Sequence, residues 1–218
     1  MSYKTIGIGN TTQHNVGSIS SGSFSHTVVT GSDRKLILLM MNRNTGAITS
    51  VTANGSSMTL AKQSTSFDGC FTQIFYLDNP DVGSNTISYT LNGTDDNRAV
   101  IGVLDIRNAK QGTITRTDEQ VGGSYGFTNS VTVDVSGSIV IEGQFNTGIQ
   151  SGTVGAGQSY IATRSGNDSG GASYKANVNA GTTNMSWSWS DSDSAYSEAV
   201  VVIEPAKQKG GAFIYNLI

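Results

Sequence analysis

With a single cysteine, Cys70, the chain can form no internal disulfide, so none of its stability comes from a covalent cross-link. Only 2 of its 218 residues are proline and only 13% are charged, while 27 are glycine. That balance is too uncharged for a typical disordered chain. It suits many short strands joined by Gly, Ser, Thr and Asn turns. No apolar run approaches the length of a bilayer span, and Met1-Ser2-Tyr3-Lys4 leads into no signal-like apolar stretch, so no membrane role is expected. A net charge of −3 and a pI near 5.2 argue against nucleic acid as a partner, because phosphate contacts need clustered Lys and Arg. Only Lys207 and Lys209 approach a basic cluster.

Period-two alternation fills much of the chain. Ile87, Tyr89 and Leu91 alternate with Ser88 and Thr90, and Val131, Val133 and Val135 with Thr132 and Asp134. Met185, Trp187 and Trp189 alternate with Ser186, Ser188 and Ser190, the clearest such signal. The Leu36–Met41 run is apolar on both faces and bounded by turn residues, as a central strand covered on both sides would be. Asn54-Gly55 and Asn92-Gly93 are hairpin signals, since both residues tolerate positive φ. No stretch keeps helical apolar spacing for three turns, so almost no helix is expected.

The pattern occurs twice. Leu36–Met41 is answered by Ile139–Ile141, Gly55–Met58 by Gly157–Tyr160, Tyr89 by Trp187 and Val100 by Val200, each about one hundred residues on. That period is too long for a solenoid unit. The expected fold is an all-β, antiparallel, jelly-roll-like sandwich of two similar halves, residues 23–107 and 128–204, forming one domain over 23–205. Two sheets packed face to face would carry it. Residues 1–22 are expected to be an arm or edge strand, 108–127 a connection, and 206–218 a C-terminal arm.

Candidate sites are few. His14 and His26, without a neighbouring cysteine, do not make a zinc set. Gly69-Cys70-Phe71 reads as a small buried side chain opening a strand, not a nucleophile. The acidic loops Thr94–Asn97 and Ser190–Asp193 sit at corresponding places in the two halves and offer oxygen ligands for calcium, or simply close turns. Asp105, Glu142 and Glu204 are the acids set most closely against apolar residues, and are expected at strand edges or rims, not as a glycosidase pair. No catalytic residue, metal ligand or cofactor site is assigned. After Pro205, a polar spacer leads to Ala212-Phe213-Ile214-Tyr215-Asn216-Leu217-Ile218. Phe213, Ile214, Tyr215, Leu217 and Ile218 are the candidate partner-docking residues, with folding back as another strand the alternative.

The hairpin Val51-Thr52-Ala53-Asn54-Gly55-Ser56-Ser57-Met58-Thr59-Leu60 and the strands Ile74–Pro80 and Gly83–Ile87 resemble a β-sandwich module of phage and prophage structural proteins. The likeness covers roughly residues 23–204 and rests on scaffold motifs. It implies a virion-surface protein made in the host cytoplasm: a capsid decoration or cement subunit, a head fibre, or a tail component. Its implied partners are the major capsid protein or tail proteins and further copies of itself. A carbohydrate-binding adhesion module of a tail or fibre, taking a surface glycan, is the other reading. The resemblance implies no catalytic residues, and no enzyme is expected.

Overall fold

The computed structural model describes residues 2–17, 19–43, 47–93, 99–123, 126–148, 152–165, 168–189 and 195–209. Every assigned element among them is a strand, and every pairing is antiparallel. The first half contains β1 (Gly7–Asn15), β2 (Ser21–Val28), β3 (Lys35–Arg43), β4 (Ile48–Ala53), β5 (Ser56–Ser57), β6 (Thr59–Gln63), β7 (Cys70–Asp78), β8 (Gly83–Leu91) and β9 (Val100–Arg107). The second contains β10 (Arg116–Gly123), β11 (Gly126–Val133), β12 (Ser138–Asn146), β13 (Thr153–Val154), β14 (Ser159–Arg164), β15 (Ser169–Val178), β16 (Gly181–Ser188) and β17 (Ala195–Ile203).

Four sheets form, not the two expected. In the first half, an inner sheet β1-β9-β3-β7-β6 packs on an outer sheet β2-β8-β4-β5. In the second, the inner sheet β10-β17-β12-β15-β14 packs on the outer sheet β11-β16-β13. Each half is therefore a sandwich in its own right. The two inner sheets then pack face to face, through Ile37, Leu39 and Ile74 on one side and Ile139, Ile141 and Val201 on the other. This double covering is why β3, β9, β12 and β17 are buried almost throughout, whereas β8, β11 and β16 alternate between buried and exposed positions.

The repeat is real in the strand order, but its register differs from the sequence reading. Leu36 points into the first sandwich and Ile139 into the seam between the halves. The residue matching Ile139 is Ile37, because a slip of one position turns every side chain to the opposite face. The connection expected over 108–127 also contains a strand. β10 pairs with β17 along its whole length and occupies the edge position that β1 holds in the first half. Its polar sequence, RTDEQVGG, shows no alternation because an edge strand buries little of either face.

The seam has approximate two-fold character. β1 lies over β14, and β10 over β6. On one side Thr163 N donates to Gln13 Oε1 at 2.8 Å; on the other Thr65 N donates to Glu119 Oε2 at 2.8 Å. The Asn54-Gly55 hairpin is present, with φ of 47° and 81°, and joins β4 to β5. Trp187, Trp189, Tyr89 and Leu91 all lie in the sandwich cores, where each contributes about 2–3 kcal/mol of burial.

Close approach of the inner sheets depends on a bare backbone at Gly143. A Cβ there would lie 2.9 Å from Thr72 Cγ2 and 3.1 Å from Leu39 Cδ2. Gly143→Val is expected to destabilise the protein by about 1–3 kcal/mol or more through overpacking. Urea unfolding followed by tryptophan fluorescence checks this, and an unchanged midpoint would contradict the packing described.

Candidate functional site: a carboxyl pair inside the second sandwich

The two sandwich interiors are built differently. Between the sheets of the first half, one continuous apolar cluster includes Leu38, Met40, Ala99 and Ile101. In the second half the apolar packing is split. A valine-rich cluster around Val140, Met185 and Val200 lies at one end, and Phe127, Trp187, Trp189 and Tyr196 lie at the other. A polar layer of Glu142, Gln144, Glu198 and Asn129 separates them, all at least nine-tenths buried. By strand register, Glu142 replaces Met40 and Glu198 replaces Ala99.

Each member is placed by strand alternation. On β12, Val140, Glu142 and Gln144 face the outer sheet, while Ile139, Ile141 and Phe145 face the seam. On β17, Glu198 follows the same rule and stands directly opposite Gln144. Glu142 Oε1 accepts three hydrogen bonds, from Trp187 Nε1 at 2.7 Å, Gln158 Nε2 at 2.6 Å and Ser173 Oγ at 2.7 Å. The indole reaches it across Gly171, where a Cβ would stand 2.4 Å from Trp187 Cη2. Glu198 Oε2 accepts only one, from Asn129 Nδ2 at 3.2 Å.

The other two oxygens, Glu142 Oε2 and Glu198 Oε1, have no donor. The carboxyls lie within hydrogen-bonding distance of one another, so a single proton held between them gives both a partner. Donor count decides where it sits. Glu142, with three donors, is held as the carboxylate; Glu198, with one, carries the proton. Burial pushes both carboxyls above the ordinary range. The rise is larger for Glu198, which also feels the negative charge of Glu142. The pair titrates as a unit.

Both carboxyls are buried between the sheets and interact directly with one another, whereas the two acids of a glycosidase flank a bound sugar. The arrangement is a proton-holding core element, not a pair of acids flanking a cleft.

A second buried ionic group lies in the first sandwich. Asp105 Oδ1 accepts from Asn10 N at 2.7 Å and contacts His26 Nε2 at 3.1 Å, while Oδ2 accepts from Val29 N at 3.0 Å. His26 Nδ1 meets Thr12 Oγ1 at 2.8 Å. Asn10 lies where the β1–β9 register shifts, so Asp105 satisfies an amide that the ladder leaves out. His14 is half-buried, stacks on Phe24 and contacts Tyr89 Oη at 3.2 Å.

The placement of the acids corrects the sequence reading. Asp105 and Glu142 were expected at edges or rims, yet both are buried on central strands. Glu204 is half-buried and ion-paired with Lys110 at 2.7 Å. Glu198 was not singled out at all. Its signal was its place in phase with Val200 and Val202, one strand over from Glu142. Cys70 is buried, its thiol pushed up to about 12 chiefly by desolvation. The acidic loops Thr94–Asn97 and Ser190–Asp193 and the docking residues Phe213, Ile214, Tyr215, Leu217 and Ile218 lie outside the described residues. Among the described residues no group of three or more His, Cys, Asp or Glu is placed to hold a metal.

No protein-family model, curated protein or solved structure matches this chain.

Two outcomes test these assignments. A carboxyl whose folded pKa is raised gives its full stabilisation below its unfolded pKa, near 4.5, and loses it as pH climbs toward the folded value. The native protein is therefore expected to lose stability above pH 4.5 relative to Glu198→Gln, whose amide donates to Glu142 at every pH. Urea denaturation of both proteins from pH 4 to 9 measures the difference, and parallel curves would refute the shared proton. Asp105→Ala is expected to cost about 3–5 kcal/mol, because a buried network loses its acceptor. Hydrogen exchange should then accelerate at the Asn10 and Val29 amides ahead of the β3 amides.

Proposed function

We propose that the protein is a structural component of a phage particle, an exterior capsid decoration or cement subunit that grips its neighbours through its terminal segments. The observation that carries this reading is the pairing of the chain's two end regions. Tyr3 bridges Lys207, Lys4 N donates to Ala206 O at 2.8 Å, and Gln208 N donates to Ser2 O at 3.1 Å. Ser2 Oγ adds a side-chain bond to Gln208 at 2.9 Å. The chain beyond Lys209, with its apolar Phe213–Ile218 sequence, thus departs from a fixed corner of a rigid body. An apolar segment tethered to a rigid base loses less entropy on docking than one at the end of a mobile arm.

Further support comes from how the ionisable side chains are used. Glu142, Glu198, Asp105 and Lys35 are bonded internally, Lys35 to Asp78 and to Gly112 O at 3.1 Å. The strand order of each half, with the first, last and third strands adjacent in one sheet, supports reading each sandwich as a jelly roll, a fold common in capsid components.

Adhesion to a surface glycan is the second reading, favoured by Tyr160. The residue is 44% exposed, and its ring stands edge-on to Trp187 and is fixed by hydrogen bonds from Oη to Gly152 O and from Val154 N to Oη. A held, exposed ring is a stacking surface that costs little to order.

Deletion of residues 210–218 is the test. The truncated protein is expected to fold with unchanged melting behaviour but to lose oligomer mass in sedimentation and to fail to join purified particles. Unchanged assembly would refute the docking role. Glycan-array binding abolished by Tyr160→Ala would move the assignment to adhesion.

A further inference from the structure

The carboxyl pair needs a positive partner, and among the described residues no side chain supplies one. The groups acting on Glu142 and Glu198 are each other, Ser173, Trp187, Gln158, Asn129 and Asp118; Asp118, on β10, adds another negative charge. No Lys or Arg is among them. Asn129 and Trp187 come from the outer sheet, Ser173 from β15 and Tyr196 from β17, and none brings a cation. One proton satisfies the pair when it is available. Once that proton leaves, two carboxylates share a dry interior, desolvated and repelling one another.

A third oxygen points to what replaces it. Gln144 follows Glu142 on the inward face of β12 and stands opposite Glu198 in the β12–β17 ladder. It is 1% exposed, yet its Oε1 has no donor. A buried amide oxygen without a donor is left with its desolvation uncompensated unless something else binds it. A proton held between the two glutamates does nothing for it. A cation does.

We propose that Glu142, Glu198 and Gln144 form an internal site for one hard divalent cation of the calcium class, bound in exchange for the shared proton. Glu142 Oε2, Glu198 Oε1 and Gln144 Oε1 are its side-chain ligands. All three donors are oxygen, which selects calcium, magnesium or manganese over thiolate- and imidazole-seeking metals. Calcium tolerates an irregular ligand set, whereas magnesium demands near-octahedral geometry. A divalent ion also balances two carboxylates to zero net charge, the least costly state for an interior. The exchange is one for one: the cation enters, its bonds to the two carboxylate oxygens form, the Glu198 O–H bond breaks, and one proton goes to solvent. While the pair is protonated, apparent affinity should rise about tenfold per pH unit.

Terbium, a calcium surrogate excited through nearby tryptophan, reads this directly. Trp187 donates to Glu142 itself, and Trp189 lies in the adjoining cluster. The full chain at pH 8 is expected to show tryptophan-sensitised terbium emission that calcium displaces and that fades as pH falls to 5. Glu198→Gln, which should remain folded and be more stable than the native protein at that pH, is expected to lose the emission, as is Glu142→Gln. The Asp191→Asn/Asp193→Asn double variant is expected to keep it, which separates the interior site from the acidic Ser190–Asp193 sequence. Absence of emission from the native chain overturns the proposal. So does emission that survives Glu198→Gln, whether or not the loop variant abolishes it.

Discussion

The whole molecule depends on two sheets that are buried on both faces. A sheet covered on one side alternates apolar and polar residues, while one covered on both sides cannot afford exposed polar groups anywhere along its central strands. The inner sheets meet this demand with strands such as Leu36–Met41 and Ala199–Ile203. Their outer faces complete the two sandwiches, and their inner faces join the halves. Neither half can therefore be removed without exposing a full apolar sheet of the other, which makes the four layers one cooperative unit.

Against that background the second sandwich is the exception. The first half fills the same place with Met40 and Ala99, so an apolar solution is available to this architecture. Two buried glutamates, an amide and an asparagine in its stead divide the packing into two smaller clusters. Buried polar groups are weak sources of stability compared with hydrophobic replacements of similar shape. At this layer the first half is apolar and the second polar, so it is here that the packing of the two halves diverges.

Much of the fold was legible because alternation at period two is a direct imprint of burial. Met185, Trp187 and Trp189 announced their face, Asn54-Gly55 its hairpin, and the lack of helical spacing the all-β class. The number of layers was harder to read. A run such as Leu36–Met41 says that both faces are covered without saying by what, and two sheets satisfied the count as well as four. The equivalence of Leu36 with Ile139 was off by one because similar apolar residues hide a register slip that only the facing partners reveal. β10 was missed since an edge strand leaves no apolar trace. Glu142 was seen but misplaced, and Glu198 passed over, because composition assigns acids to rims. Only the cross-strand register sets Glu198 beside Gln144 and within reach of Glu142.

The pairing of residues 2–4 with 206–208 has a topological consequence. Between Ser2 and Gln208 the backbone very nearly closes on itself, and the connection between the halves, around Thr113, lies between two sandwiches. A short loop joining Gln208 to Ser2 would make the path a ring, which could be reopened at that connection with the order of the halves reversed and every ladder kept. The order in which the ribosome delivers the halves is thus not imposed by the finished architecture.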